Sequence, residues 1–325
     1  MLAKGPTTIV VTGASSGIGR ATAEALAYHD IRLVLAARRE EALEATAAVC
    51  REKGARALVV PTDVTDSAAM ERLAAQASEF GDGRIDVWIN NAGVGAVGQI
   101  EDIPAEAHER VIRTNLLGYM YGAHAVIPYF KRVGRGTLVN VLSLGAWAPS
   151  PLATSYSASK YGLRGFSEAL RLELVPWPEI RVCDIFPSVI DTPGFRHGAN
   201  YTGRMLKPPR PLYDAREVAH AIVRAIEDAR RRAVTVGMVA QLAKIANAVA
   251  PAGVRVVSFR TLRRYLDNAP KVPVTAGNLF EPSKGSMSID GGWRGAQRGR
   301  AVQNALLAGT LLAAGLLLLQ RTRHR

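Results

Sequence analysis

Cysteine is scarce: the 325-residue chain holds only Cys50 and Cys183. Both fall in apolar stretches, so they read as buried free thiols; this excludes a disulfide-stapled fold and fits a reducing compartment. His29, His108, His124, His197, His220 and His324 lie scattered without the spacing of a ligand set, so no metal site is expected. No secretory signal is visible, because Met1–Pro6 carries one lysine and runs directly into an apolar stretch. No internal repeat is visible either. Acidic residues are sparse in one part of the chain only. Residues 1–203 hold 20 Lys/Arg against 21 Asp/Glu, whereas residues 204–325 hold 21 against 7. A basic C-terminal third suggests an anionic partner or a solvated basic face. It has no nucleic-acid motif and no aromatics interleaved with its basic residues, which argues against nucleic acid.

What is present is enough apolar residue, 48% of the chain, for a sizeable core. Short Val/Ile/Leu-rich runs at Thr7–Thr12, Arg32–Ala37, Ala57–Thr62, Asp86–Asn90, Gly136–Ser143, Ile180–Phe186 and Ala233–Gly237 alternate with helical patterns. Such runs imply an α/β fold with a doubly wound parallel sheet of about seven strands in a single domain. Two amphipathic helices follow, Val239–Ala250 and Val254–Leu266, separated by Pro251 and Gly253. The expected organisation is a catalytic domain over 5–240, a basic helical extension over 241–267, a flexible linker rich in Gly, Pro and Ser over 268–300, and a transmembrane helix over 301–320. Ala301–Leu319 would span about 28 Å as a helix, close to a hydrocarbon core. Arg294, Arg298 and Arg300 precede it and Arg321, Arg323 and Arg325 follow it, so the flanks leave orientation open.

The turn after the first strand reads Thr12-Gly13-Ala14-Ser15-Ser16-Gly17-Ile18-Gly19 and opens a helix. Glycines there let backbone approach a pyrophosphate, and the helix N-terminus offers free N–H groups to its charge. The second strand ends in Ala37-Arg38-Arg39. An enzyme using NAD usually carries an acid at this point, whereas an arginine can pair with a 2′-phosphate, which favours NADP(H) over NAD. The alternative is that Arg38 and Arg39 only begin a surface helix. Ser143 ends the fifth strand, Tyr156 follows thirteen residues later, and Lys160 four after that. Positions four apart share a helix face, so Tyr156 and Lys160 would point the same way.

Over about residues 5–240 these features resemble the short-chain dehydrogenase/reductase family and imply its Rossmann-like fold. The resemblance assigns the cofactor turn to Gly13, Ser15, Ser16, Gly17, Ile18 and Gly19. It gives Asp63 and Val64 to the adenine, and Asn90-Asn91-Ala92-Gly93 to support of the central strand beside the cofactor. It makes Asn115, Ser143, Tyr156 and Lys160 catalytic, with Asn115 supporting a water and Lys160 also holding the nicotinamide ribose. Pro187, Val189 and Thr192 contact the nicotinamide, with Ser188 standing where a glycine usually follows the proline. The implied activity is hydride transfer between NADP(H) and an apolar or lipid-like carbonyl or alcohol. Tyr156 is the general acid/base, Ser143 holds the substrate oxygen, and Lys160 lowers the Tyr156 pKa from its ordinary value near 10. Trp147, Pro149, Pro151 and Leu152 suggest an apolar pocket wall. A nucleotide-sensing scaffold without turnover, or an epimerase or dehydratase, would use the same fold. The expected location is a membrane-anchored chain with a cytoplasmic catalytic domain, the alternative being a soluble one; a homo-oligomer is left open.

Overall fold

A computed structural model describes residues 6–228, 230–283, 285 and 287–294. Its strands are β1 (Thr7–Thr12), β2 (Ile31–Ala37), β3 (Arg56–Pro61), β4 (Val87–Asn90), β5 (Gly136–Val141), β6 (Ile180–Pro187) and β7 (Ala233–Val236). They form one seven-stranded sheet in the order β3-β2-β1-β4-β5-β6-β7, every pair parallel. This is the doubly wound sheet expected from the apolar runs. The helices are α1 (Gly17–Leu26), α2 (Glu40–Glu52), α3 (Ser67–Phe80), α4 (Ala105–Ile112), α5 (Gly118–Val133), α6 (Thr154–Glu173), α7 (Gly194–His197), α8 (Ala215–Glu227), α9 (Met238–Val249) and α10 (Pro251–Asn268).

Each strand is covered on both faces, which explains why its apolar run is unbroken rather than alternating. In β1, Ile9 and Val11 enter the core shared with α1, α2 and α8, while Val10 enters the one shared with α3, α5 and α6. The strand order reverses between β1 and β4, and the crevice at this switch, at the carboxyl ends of the strands, is where such sheets bind ligands. Both cysteines are free and buried, and burial pushes each thiol up to about 11.

A buried polar chain ties this sheet to α6. Trp88 Nε1 donates to Asn90 Oδ1 at 2.8 Å, and Asn90 Nδ2 donates to Asn140 Oδ1 at 3.1 Å. Asn140 Nδ2 donates to Ser167 Oγ at 3.1 Å, Ser167 Oγ to Asp184 Oδ1 at 2.8 Å, and Arg171 Nη2 to Asp184 Oδ2 at 2.7 Å. Asp184 is 1% exposed. Burial pushes its carboxyl up, and Arg171 and Ser167 oppose that without reversing it.

Two features depart from the sequence reading. The two expected helices are present, but the break falls at Ala250: Pro251 begins α10, where its missing N–H would have been unsatisfied anyway, and Gly253 lies inside it. Residues 268–300 are not a flexible linker as far as they are described. The described residues between 269 and 294 form an irregular strap on the domain, with Leu279 fully buried and Ile289 8% exposed. Gly, Pro and Ser content reports the lack of regular structure, not the lack of tertiary bonds. The segment expected to span a membrane, 301–320, lies outside the described residues; among those that are described, no helix is long and apolar enough to cross one.

Arg171→Met should leave the buried Asp184 carboxyl without its cation. The expected loss is about 3 kcal/mol, which lowers the midpoint of thermal unfolding by roughly 10 °C. An unchanged midpoint would show that the polar chain does not fasten α6.

Candidate active site

The crevice begins with the turn between β1 and α1. Gly13 has φ +67°, and a Cβ there would lie 2.8 Å from the Ala92 Cα; one on Gly19 would overlap the Gly13 carbonyl. These two glycines therefore let the turn lie directly on the loop after β4. Asn91 Nδ2 holds the turn by donating to the Thr12 and Gly13 carbonyls at 2.9 and 3.3 Å. The Asn91 and Ala92 N–H groups donate to Thr12 Oγ1 at 3.0 and 3.2 Å. Gly93 is exposed beside them, and Ser15 and Ser16 are partly exposed on the turn. Ser16 is the N-cap of α1 without a side-chain cap. The Gly17 N–H donates to the Ser288 carbonyl at 3.0 Å, whereas those of Ile18 and Gly19 have no acceptor among the described residues. An anion at this helix N-terminus would receive both.

Beyond the glycine turn the crevice is lined by the ends of β2 and β3, by α4 and by the strap. Arg38 donates from Nη1 to the Leu279 and Phe280 carbonyls at 3.2 and 2.9 Å, and from Nη2 to the Asn278 carbonyl at 2.6 Å. Asp63 accepts from the Thr65 N–H and hydroxyl at 3.0 and 2.8 Å and from Arg110 Nη2 at 2.6 Å. Burial raises the Asp63 pKa, but the Thr65 and Arg110 hydrogen bonds outweigh it and hold the carboxyl below its ordinary value. Val64 is buried, 3.0 Å from where a Cβ on Gly118 would stand.

On the other side, Asn115 lies in a π-helical turn, Arg113–Leu117, between α4 and α5. Such turns recur at functional sites because they re-aim one side chain. Asn115 is fully buried; its Oδ1 accepts from the Val94 N–H at 2.8 Å. Its Nδ2 donates to the Val94 carbonyl at 2.8 Å and to Ser159 Oγ at 3.2 Å, tying α6 to this turn. Ser143 caps a short 3-10 turn after β5, its Oγ accepting from the Gly145 N–H at 3.0 Å. Tyr156 and Lys160 share one face of α6. Lys160 Nζ donates to the Val141 carbonyl at 3.2 Å and lies 5.7 Å from the centre of the Tyr156 ring.

Their electrostatics differ from the sequence expectation. Burial pushes Tyr156 up, and a hydrogen bond with Ser143 opposes this without reversing it. Burial also brings Lys160 down to about 7. Burial dominates at both groups, because the desolvation that penalises the phenolate penalises the ammonium as well.

The loop after β6 closes the floor. Pro187 is buried, Val189 accepts from the Tyr213 N–H at 3.0 Å, and Thr192 lies 3.3 Å from where a Cβ on Gly17 would stand. Ser188 fits where a glycine was expected because its φ is not positive; Gly237, at φ +94° opposite it, leaves the room. Trp147 packs on Phe186 with centroids 5.3 Å apart. Lys244 and Asn247 of α9 reach the Trp147 ring and carbonyl. Thus α9 borders the catalytic side.

The glycine turn, Asn91–Gly93, Ser143, Tyr156, Lys160 and the 187–192 loop all converge on one crevice. The sequence reading missed Arg110 and strap residues Asn278–Phe280 and Ser288. Arg110 reads locally as a surface charge on α4, and no pattern marks the strap. N–H groups without an acceptor among the described residues, over a close-fitting glycine turn, suit the pyrophosphate of a dinucleotide.

Comparison with known proteins shows the family, and the solved neighbours hold either nicotinamide cofactor. Residues 7–200 match the profile of the family described as short chain dehydrogenase. An uncharacterized oxidoreductase, YxnA of Bacillus subtilis, is 37% identical over 227 residues, which span 69% of this chain and 63% of that relative. A metagenomic short-chain oxidoreductase solved in complex with NADP superposes with TM-score 0.61 at 26% identity, covering 71% of this chain and 96% of the other. A short chain dehydrogenase/reductase from Burkholderia phymatum, in complex with NAD, gives TM-score 0.65 at 27% identity over 85% and 100%.

Lys160 predicts a stability signature. Its folded pKa of about 7 lies below the ordinary 10.5, so between these values the unfolded chain binds more protons and stability rises with pH. Lys160→Met escapes this penalty. The variant should be more stable than the wild type at pH 7 by an amount on the order of a few kcal/mol, read as a higher unfolding temperature. The gap should narrow as the pH approaches 10. A gap independent of pH would contradict the assignment.

Proposed function

The chain belongs to the short-chain dehydrogenase family, and we propose that it is an oxidoreductase moving a hydride between NADP(H) and an apolar carbonyl or alcohol. The observation that carries this is the approach of Ser143, Tyr156 and Lys160 to one another at the same strand edge as the glycine turn. Bound NADP(H) supplies the hydride in reduction and accepts it in oxidation. The N–H groups of Ile18 and Gly19 hold its pyrophosphate, Arg38 its 2′-phosphate, Asp63 and Val64 the adenine side, and Asn91, Ala92 and Gly93 the middle. Pro187, Val189 and Thr192 face the nicotinamide. The two solved relatives hold NADP and NAD respectively, so the preference is argued from Arg38 and from Ala37 in the place of an acid.

Tyr156 moves the proton. Its raised pKa keeps the hydroxyl protonated at neutral pH, the form that donates to a carbonyl oxygen during reduction. Ser143 hydrogen-bonds the same oxygen as negative charge develops there. Lys160, brought down to about 7, would hold the cofactor ribose and serve as the proton source from which Tyr156 is recharged, with Asn115 supporting a water on the way to solvent. Trp147, beside Phe186, supplies an apolar wall for the substrate.

The location is proposed with it: a chain held at a membrane by 301–320, with the catalytic domain on the cytoplasmic side, where two unpaired thiols stay reduced. The described surface supports this. α10 has no buried residue and exposes Val256, Val257 and Phe259 among Arg255, Arg260, Arg263 and Arg264. Apolar and basic groups together suit an anionic bilayer surface.

Tyr156→Phe keeps the ring and removes the transferable proton. NADPH consumption with a panel of apolar ketones should fall by about 10²–10⁴-fold, while NADPH affinity stays within about twofold. Full turnover in the variant would refute the role. In cell fractionation the full chain should pellet with membranes and resist carbonate, and a chain ending at Gly299 should be released. A full chain in the soluble fraction would refute the anchor.

A further inference from the structure

The guanidinium assigned to the 2′-phosphate is held from behind by protein carbonyls. Asn278, Leu279 and Phe280 present three consecutive carbonyls to Arg38 Nη1 and Nη2. Carbonyls orient a guanidinium but do not neutralise it, and Arg38 forms no ion pair among the described residues. Its Nε donates to no protein atom among them either. Nε and the remaining Nη2 hydrogen form an edge suited to two oxygens of one phosphate.

Two features maintain this arrangement. The strap is pinned by Leu279, fully buried among Ala96, Ile103, Ala107, Val111 and Ala199. The Asn278 N–H also donates to the His197 carbonyl at 2.8 Å. Arg110 is the second feature. Its Nε donates to the Leu279 carbonyl at 2.9 Å, its Nη1 to Thr65 Oγ1 at 2.7 Å, and its Nη2 to Asp63 Oδ2 at 2.6 Å. Asp63 is a carboxylate whose charge is felt at Arg38. Paired with Arg110, it is kept from competing with a phosphate for Arg38. The other carboxylate felt there, Glu281, is exposed and makes no ion pair among the described residues.

We propose that Arg110 and Leu279 are positioning residues for cofactor preference: Leu279 seats the carbonyl cradle that aims Arg38, and Arg110 occupies Asp63, so that the Arg38 charge is left for the 2′-phosphate of NADP(H). This deepens the NADP(H) reading and rests on it. Neither residue is assigned a contact with the cofactor. Their loss therefore acts on the 2′-phosphate and leaves the pyrophosphate turn intact.

The test is equilibrium titration of the full chain with NADPH and with NADH, read by nicotinamide fluorescence. The wild type should prefer NADPH, and Arg38→Ala should weaken NADPH by about ten- to a hundredfold with little change for NADH. Arg110→Met should weaken NADPH by about tenfold and leave NADH within about twofold. Adding Asp63→Asn to Arg110→Met should restore most of the NADPH to NADH ratio, because the competing carboxylate is gone. Leu279→Ala should lower the ratio in the same direction, and it reads the strap alone should Arg110→Met not fold. If Arg38→Ala is selective while Arg110→Met and Leu279→Ala leave the ratio unchanged, the positioning role is overturned and the NADP(H) reading stands. A wild type that prefers NADH overturns both.

Discussion

The arrangement of the catalytic edge depends on a line of hydrogen bonds inside the sheet, from Trp88 through Asn90, Asn140 and Ser167 to Asp184 and Arg171. It crosses β4, β5 and β6 and ends on the helix that carries Tyr156 and Lys160. A buried polar group that loses its partner costs about 1–3 kcal/mol. A one-residue slip of any of these strands would orphan several at once, so the line selects a single register and a single seat for α6. Asn90 is also next to Asn91, which clamps the glycine turn. The cofactor end and the catalytic end are thereby fixed to the same strand.

The groups proposed to be catalytic oppose stability. Lys160 is 4% exposed, with a single carbonyl hydrogen bond and a pKa brought down to about 7. A methionine would pack there without that penalty. Tyr156 is likewise penalised as a phenolate, which favours the protonated acid that the proposed reduction uses. The half proposed to bind the cofactor phosphates differs. Its charge is held outside the deepest core, its carboxylate Asp63 is already paired, and its cation is oriented by neutral carbonyls.

Much of this was legible in the sequence. Strands buried on both faces must be continuous apolar runs, so the seven were visible to within a residue or two of their ends. The glycine turn was visible because close approach of backbone to backbone leaves few residue choices, as at Gly13 and Gly19. Tyr156 and Lys160 were visible as a helical pair. The strap was not, because Asn278–Phe280 use their carbonyls, which every residue has, so no side-chain pattern marks them. Arg110 was invisible for a related reason: its partners Asp63, Thr65 and Leu279 come from segments far apart in the chain. The direction of the Tyr156 pKa could not be foreseen either, since it turns on burial of both partners rather than on their spacing.

The most direct test of the central claim follows the hydride. The full chain is incubated with NADPH carrying deuterium at the transferable nicotinamide position and a panel of apolar ketones, and the products are examined by mass spectrometry and NMR. The account predicts alcohols carrying one deuterium on the former carbonyl carbon, formed with matching loss of NADPH. Tight NADPH binding with no labelled alcohol from any ketone, and no oxidation of the corresponding alcohols with NADP, would contradict it and leave a nucleotide-binding protein without turnover.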